Sequence, residues 1–259
     1  MIETTDFRRS EQYTLSIRLT ADGFYFALYN PFADKKEKYS RLYQEIDDTT
    51  SFYRNLEKIF KKTEWINNKF GKVNVIVDTP RYTLVPLDFF EDEQAEKIFY
   101  QNQGQAINEK IIYNVLPQNN IVTIYGIDES THDFLLQKYP KVTFHSKAGI
   151  LISSLTSKSQ AGNNKKLFIH IDKNSITACA FQNGSLQLCN TFSCQSLTDI
   201  IYYTLACWKE LALEQETDEL HISGILTEKE ELLKILNKYL QQIYVMDNSE
   251  YIDLQTLCL

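Results

Sequence analysis

Two stretches of the chain carry the same alternating apolar pattern, and they align without a gap at an offset of 152 residues, from position 15 to position 167. The first reads LSIRLTADGFYFALYN (15–30) and the second LFIHIDKNSITACAFQ (167–182). Alternation with a period of two, interrupted by a short polar break, predicts a β-hairpin in each stretch. The inward positions stay apolar in both: Leu15, Ile17, Leu19, Phe24, Phe26 and Leu28 align with Leu167, Ile169, Ile171, Ile176, Ala178 and Ala180. We therefore predict two copies of one strand-rich unit.

The elements that follow each hairpin also repeat in the same order. Alternating and helical periodicities predict a third strand, an amphipathic helix and a further strand in both halves. They cover residues 38–42, 49–60 and 73–77 in the first half, and residues 186–192, 197–208 and 220–222 in the second. Another helix, with leucines on one face, is predicted over residues 229–241. The repeated order supports duplication more strongly than composition does.

The first half carries additional predicted elements. They are a helix near 92–100, strands at 111–115 and 121–125, a helix through 134–138, a strand at 142–144 and a closing helix at 149–155. We interpret residues from about 91 to 145 as an inserted subdomain, and the polar segment 158–166 (KSQAGNNKK) as a linker. The predicted division is a first half over residues 1–157 and a second half over residues 167–259, both of the α/β class with mixed sheets flanked by helices.

Charge and composition disfavour several classes of partner. A net charge of -7 and an isoelectric point near 5.2 oppose nucleic-acid binding, which depends on Lys and Arg neutralising phosphates. The sequence has no apolar run of the ~18 residues that a membrane span requires, and residues 1–10 lack a signal peptide's apolar stretch, so we expect a cytoplasmic protein without membrane insertion. The five cysteines form no C-x-x-C pair and the four histidines have no metal-ligand spacing, so we expect no metal site.

The tandem order of elements, with an insertion in the first half, resembles the superfamily of actin, sugar kinases and heat-shock ATPases. In that superfamily two ribonuclease-H-like halves clamp a nucleotide. The stretch TPRYTLVP (79–86), together with the opening hairpin, resembles more narrowly an uncharacterised bacterial family with an actin-like ATPase fold. Its distant relatives include actin-like proteins of pilus assembly and cell division. The resemblance implies two actin-like ATPase halves, and a nucleotide site that must be checked residue by residue.

In the first half, the resemblance implies an aspartate directly after the first strand, followed by glycine and hydroxyl residues that hold phosphate. Thr20 stands at that place, with Asp22 and Gly23 two and three residues later. An Asp-Gly pair is also typical of a tight hairpin turn with positive φ angles. We interpret Thr20, Asp22 and Gly23 as a vestigial phosphate loop, with the turn as the simpler explanation.

In the second half, Asp172 does occupy the position directly after the strand, and Asn174 and Ser175 follow it. The glycine that would let a phosphate approach the backbone is missing there. A glycine pair that would pack against adenosine is reduced to Gly224. The resemblance thus implies Mg-ATP as a cofactor, whereas the degenerate motifs favour a protein without a cofactor. We assign no catalytic residue.

These observations favour a noncatalytic or weakly catalytic protein that binds an unidentified protein partner. Arg81 and Tyr82, between Pro80 and Pro86, are the candidate partner-binding loop, because prolines stiffen the chain there. The alternative is an ATPase or small-molecule kinase that binds Mg-ATP in the cleft between the halves through Asp172. A third hypothesis is a purely structural subunit that forms an oligomer.

Overall fold

A computed structural model of the chain describes residues 7–33, 39–246 and 251–257. The chain divides into two compact units: residues 1–149 together with 254–259, and residues 150–253. The predicted third strand at 38–42 and the fifth cysteine, Cys258, fall partly or wholly outside the described residues.

The first unit contains two sheets. Its elements are β1 (Thr14–Thr20), β2 (Gly23–Tyr29), β3 (Tyr39–Glu45), α1 (Phe52–Lys62), β4 (Lys72–Val77), β5 (Tyr82–Pro86), α2 (Ala95–Asn102), β6 (Glu109–Leu116), β7 (Ile121–Asp128), α3 (Glu129–Lys138), β8 (Thr143–Ser146) and the start of α4 (Lys147–Ser159). The main sheet has the order β3-β2-β1-β4-β8, and the small sheet has the order β5-β7-β6. In the main sheet β2 is antiparallel to β1 and β3, whereas β4 is parallel to β1 and β8.

The second unit repeats the main sheet. Its elements are β9 (Lys166–Ile171), β10 (Ser175–Gln182), β11 (Ser185–Ser193), α5 (Leu197–Glu210), β12 (Glu219–Gly224), α6 (Lys229–Leu236) and β13 (Gln242–Val245), and α7 (Ile252–Thr256) follows. The order β11-β10-β9-β12-β13 and the strand directions match those of the first sheet. The predicted α/β fold with two related mixed sheets is confirmed.

The two hairpins agree in register as well as in pattern. Leu15 pairs with Leu28 in the first, and the residues 152 positions later, Leu167 and Ala180, pair in the second. All twelve inward positions named above are buried. In the second unit the six inward positions belong to one apolar cluster, so the alternation identified one core face of that sheet. The residues between them, such as Phe168 and Cys179, are also buried.

The helices begin at side-chain caps and bury one face. The Ser51 side chain accepts a hydrogen bond from the Arg54 amide at the start of α1, and Ser196 and Asp199 form a capping box at the start of α5. Two predicted bounds were wrong. Helix α1 begins three residues after Thr49, because the chain from Asp47 to Thr50 forms a turn. Helix α6 ends at Leu236, not at 241, and turns cover residues 237–239.

The small sheet contains a strand that the sequence analysis missed. Strand β5 pairs with β7, and its last residue, Pro86, occupies an edge strand, where proline is tolerated. A cluster of Val85, Phe99, Val122 and Ile124 forms its core with α2. Strand β8, by contrast, pairs with β4 in the main sheet. The paired strands of the small sheet thus extend from Tyr82 to Asp128, whereas the predicted subdomain covered about 91–145.

Helix α4 is longer than the predicted 149–155 and ends at Ser159. It leaves only residues 160–165 of the predicted linker outside regular structure before β9. The boundary between the two compact units falls within this helix, after Gly149. Among the described residues, no helix has both the length and the apolar character to cross a membrane.

Candidate functional site

In the first half, the predicted phosphate loop forms a closed turn between β1 and β2. The Thr20 hydroxyl donates to Asp22 Oδ1 at 2.7 Å and is 2.8 Å from the Gly23 carbonyl oxygen. The Tyr43 hydroxyl donates to the Asp22 carbonyl oxygen at 3.0 Å. The polar groups of Thr20 and Asp22 thus bind one another and β3, which is the behaviour of a structural turn.

The Asp22-Gly23 pair does not form the predicted turn with positive φ angles, because neither residue has a positive φ. A Cβ atom on Gly23 would instead lie 2.5 Å from the Tyr43 ring and 2.6 Å from the Gln44 carbonyl oxygen. Gly23 is therefore required by the close approach of β3. The positive-φ hairpin turn occurs elsewhere, at Asn183 (φ 50) and Gly184 (φ 77) between β10 and β11.

In the second half, Asp172, Asn174 and Ser175 lie in the connection from β9 to β10. The Asp172 amide donates to the Ser175 carbonyl oxygen at 2.9 Å. Asp172 Oδ1 lies 3.7 Å from Nε2 of the buried His170, whose Nδ1 is 3.0 Å from the Ser223 hydroxyl. The side chains of Asp172, His170 and Ser223 thus form a row of polar contacts that links β9 to β12.

Gly224 lies beside this group at the end of β12. It has a φ of 95, and a Cβ atom would lie 2.0 Å from the Ile171 carbonyl oxygen. The next amide, of Ile225, donates to that same oxygen at 2.7 Å. Only glycine fits this conformation and this distance, so Gly224 brings the end of β12 against the end of β9 and close to Asp172.

The first unit also contains a pocket of about 320 Å³ at the carboxyl ends of β1 and β4, beside the small sheet. Two predicted site residues line it, Thr20 and Arg81. Its other lining residues are apolar or acidic for the most part, and they include Leu19, Phe52, Val77, Asp78, Ile107, Glu109, Ile127 and Asp128. Tyr82, the second residue of the predicted partner loop, is buried in β5 and paired with Tyr125.

Arg81 is held by a bidentate ion pair with Glu109. Its Nε and Nη2 atoms each lie 2.8 Å from one carboxylate oxygen, and Nη2 also donates to the Gly104 carbonyl oxygen at 2.6 Å. The hydrogen bond with Glu109 outweighs burial and raises the pKa of Arg81. A Cβ atom on Gly126 would lie 2.2 Å from Glu109 Oε1, so Gly126 leaves the space that this carboxylate occupies.

A second ion pair joins Asp78, at the pocket wall, to Lys147 at the start of α4. The Nζ–Oδ2 distance is 2.7 Å, and the lysine side chain is only 3% exposed. The Asp78 amide donates to the Leu19 carbonyl oxygen at 2.9 Å, as the Ile225 amide does to Ile171. Strand β4 is the counterpart of β12, so Asp78, directly after β4, corresponds to Ile225, directly after β12.

The loop over residues 104–108 borders the pocket and is fixed at both ends. At one end Arg81 binds Gly104. At the other, the Asn108 side chain donates to Asp128 Oδ2 at 2.7 Å, and the Asn108 carbonyl oxygen accepts from the Glu129 amide at 2.9 Å. Between these anchors the Ile107 side chain is 100% exposed. The ends are ordered, and an apolar side chain faces solvent.

Sequence reasoning missed most of this pocket, namely Asp78, Ile107, Glu109 and Asp128, and also Lys147, which pairs with Asp78. The single hint was one isoleucine within the polar stretch QNQGQAINEK (101–110). Of the predicted nucleotide residues, Thr20, Asp22 and Gly23 lie in the first unit, and Asp172, Asn174, Ser175 and Gly224 lie in the second. No cluster of three or more metal-ligating side chains occurs within the ranges described by the structure.

Comparison with solved structures supports the fold. A protein of unknown function with an actin-like ATPase fold from Bacteroides thetaiotaomicron is 40% identical, with a TM-score of 0.89 and 98% of each chain covered. The PilM–PilN type IV pilus biogenesis complex matches at 9% identity and a TM-score of 0.57, over 96% of this chain and 98% of the other. The ethanolamine utilization protein EutJ from Carboxydothermus hydrogenoformans matches at 7% identity and a TM-score of 0.51, over 95% and 89%.

A search of curated proteins finds no match. The resemblance to an uncharacterised bacterial family with the actin-like ATPase fold is confirmed by the Bacteroides relative, which shares the fold over almost the whole of both chains. The family profile described as "Protein of unknown function (DUF3822)" matches residues 2–243, and the chain belongs to that family.

Proposed function

We propose that the chain binds a protein partner through the pocket of the first unit and the adjoining Ile107, without catalysing a reaction there. The observation that carries the proposal is the fully exposed Ile107 on a loop anchored at both ends. Exposed apolar side chains on ordered backbone lose little conformational entropy on association, which favours their use as interface anchors.

The chemistry of the pocket supports a binding role. Its charged side chains are engaged with one another: Arg81 with Glu109, and Asp78 with Lys147. Asp128 accepts from the Thr131 amide at the start of α3 and from Asn108. A pocket whose polar groups are satisfied and whose remaining wall is apolar suits an apolar side chain of a partner better than a phosphate.

The PilM–PilN complex offers a precedent at the level of the fold. It is a complex between two proteins, and it shares this fold at a TM-score of 0.57. Binding to another protein is therefore a role compatible with the fold, and we extend it to this chain as part of the proposal.

Site-specific photo-crosslinking in cells tests the proposal. A photoreactive amino acid at position 107 should give one discrete protein adduct, because the side chain contacts the partner. The matched control places the same amino acid at Phe89, which is 77% exposed in the same unit but does not line the pocket. Equal adducts from both positions, or none from position 107, would contradict the proposal.

Once the partner has been identified from the adduct and purified, its affinity for Ile107→Ser is compared with its affinity for Phe89→Ser. Both substitutions remove an exposed side chain, so each should change folding stability by less than about 0.5 kcal/mol. Ile107→Ser should weaken binding by roughly 1 to 2 kcal/mol, or about 5- to 30-fold, whereas Phe89→Ser should bind normally. Isothermal titration calorimetry gives both affinities.

The alternative, an ATPase or small-molecule kinase, is favoured by one feature of the second unit. Asp172 and Gly224 adjoin at the ends of β9 and β12, where a carboxylate beside closely approaching backbone suits a metal-bound phosphate. Titration with Mg-ATP should then give heat that Asp172→Ala abolishes. A flat titration of the unmodified protein would remove this alternative and leave the partner-binding proposal intact.

A further inference from the structure

Two thiols lie against each other across the hairpin of β10 and β11. Cys179 and Cys189 are directly opposite in the strand register, and their sulfur atoms are 3.4 Å apart. Both are in the thiol form. They belong neither to the pocket of the first unit nor to the group around Asp172.

The type of strand pair explains the short distance. The Cys194 amide donates to the Asn174 carbonyl oxygen at 2.9 Å, so Asn174 and Cys194 form a hydrogen-bonded pair. Hydrogen-bonded and non-hydrogen-bonded pairs alternate, so Cys179 and Cys189 form a non-hydrogen-bonded pair, in which side chains approach more closely. The pair of the same type two residues away agrees, because the hydroxyls of Thr177 and Thr191 are 3.0 Å apart.

Little movement separates this arrangement from a disulfide. The sulfur atoms must approach by about 1.4 Å to reach the bonded distance of about 2.05 Å, which small side-chain rotations can supply. The Cα separation of a non-hydrogen-bonded pair, about 4.5 Å, lies at the short end of the range for disulfides. Because this separation is within the usual range, the backbone need not move for the bond to form.

The two thiols differ in access to solvent. Cys179 is 1% exposed, whereas Cys189 is half-buried on β11, which is an edge strand. The hydrogen bond to Cys189 and burial hold the pKa of Cys179 well above its ordinary value, so its thiolate is scarce. An oxidant therefore meets the sulfur of Cys189 first.

We propose that Cys179 and Cys189 form a site of reversible oxidation, at which hydrogen peroxide converts the two thiols into an intramolecular disulfide. Cys189 releases its proton and the thiolate attacks one peroxide oxygen. The O–O bond breaks, a sulfenic acid forms, and the departing hydroxide takes up the released proton as water. The Cys179 sulfur then attacks the Cys189 sulfur, the S–O bond breaks, and a second water leaves with the thiol proton. Two thiols are oxidised and one peroxide is reduced to two waters.

The other described cysteines serve as internal controls. Cys194 and Cys207 belong to the apolar cluster on the opposite face of the same sheet. Burial raises the pKa of each to about 11, which keeps them as inert thiols at neutral pH. Among the four described cysteines, oxidation by mild peroxide should therefore be confined to the pair on β10 and β11.

The test treats the reduced full-length protein with limiting hydrogen peroxide and follows it by thiol titration and mass spectrometry. Two of the five thiols should disappear, the intact mass should fall by two hydrogen atoms, and a digest should contain a peptide linking Cys179 to Cys189. Dithiothreitol should restore both thiols. A linked peptide between other cysteines, or a disulfide-bonded dimer on a nonreducing gel, would overturn the proposal.

Three variants separate the steps. Cys207→Ser should still lose two thiols, whereas Cys189→Ser should lose none at the same dose. Cys179→Ser should stop at the first step, and dimedone should then label Cys189 as its sulfenic acid. Labelling of Cys179 in Cys189→Ser, or gain of two oxygen atoms on Cys189 in the unmodified protein without a linked peptide, would also overturn it.

Discussion

The two five-stranded sheets share their order and register but differ at the carboxyl ends of their central strands. After β4 the first half carries Asp78, paired with the buried Lys147, and the preceding residue, Val77, has a full side chain. The position in β12 that matches Val77 is Gly224, which presses against the Ile171 backbone. The first half thus uses this edge for a buried ion pair and a pocket, and the second half for close contact between strands. The two halves thus share the sheet but differ in the residues after its central strands.

The largest effect should come from breaking the ion pair of the first half. Lys147→Met leaves the Asp78 carboxylate, which is only 16% exposed, without its cation and should lower the free energy of unfolding by about 3 to 5 kcal/mol. The double variant Asp78→Asn with Lys147→Met should recover much of that loss, because no charge remains buried. Urea denaturation of the three proteins measures both effects. A single variant as stable as the unmodified protein would show that the pair contributes little.

The matching test in the second half is Gly224→Ala. The added methyl would meet the Ile171 carbonyl oxygen at 2.0 Å in a conformation with positive φ, so we expect a loss of about 3 kcal/mol or more. Gly162→Ala is the matched control, because Gly162 also has a positive φ, 74, but its Cβ would meet nothing closer than 4.0 Å. It should cost only about 1 kcal/mol. If both variants lost the same free energy of unfolding, the positive φ alone would explain the effect of Gly224→Ala, and the contact with Ile171 would not contribute.

Two strand histidines extend the comparison to acid pH. Burial, with a smaller contribution from Lys72, lowers the pKa of His145 on β8 from its ordinary 6.5 to about 4. Burial also lowers the pKa of His221 on β12, but the Glu219 carboxylate at 2.8 Å opposes that shift. Because the folded-state pKa of His145 lies below the unfolded value, its contribution to stability is complete above pH 6.5 and is lost as the pH falls towards 4.

His145→Gln should therefore reduce the loss of stability between pH 6.5 and 4.5 by on the order of 1 to 2 kcal/mol. His221→Gln should change it less. Denaturation at a series of pH values gives both slopes. A steeper acid loss in His145→Gln than in the unmodified protein would contradict the assignment.

The sequence predicted the sheets well and the pocket of the first unit poorly, for a physical reason. Burial on one face of a strand forces alternation, so the paired positions of both hairpins, such as Leu15 and Leu167, could be recognised at a distance. The pocket depends on contacts between residues far apart in the chain, such as Arg81 with Glu109 and Asp78 with Lys147, and no local pattern encodes them. Strand β5 was missed because Pro80, shortly before the strand, and Pro86, at its end, are typical of a loop.

The smallest expected effect concerns the first hairpin turn itself. Thr20→Val removes the hydroxyl that contacts Asp22 and Gly23, and should lower the free energy of unfolding by about 1 kcal/mol. The equivalent substitution in the second half, Asp172→Val, removes a carboxylate beside the buried His170 and should cost at least as much, because that imidazole lies within the sheet. Thermal unfolding of the two variants compares them directly. If Thr20→Val were the more damaging, the turn of the first half would be the more strongly constrained of the two, and its interpretation as a relaxed, vestigial phosphate loop would fail.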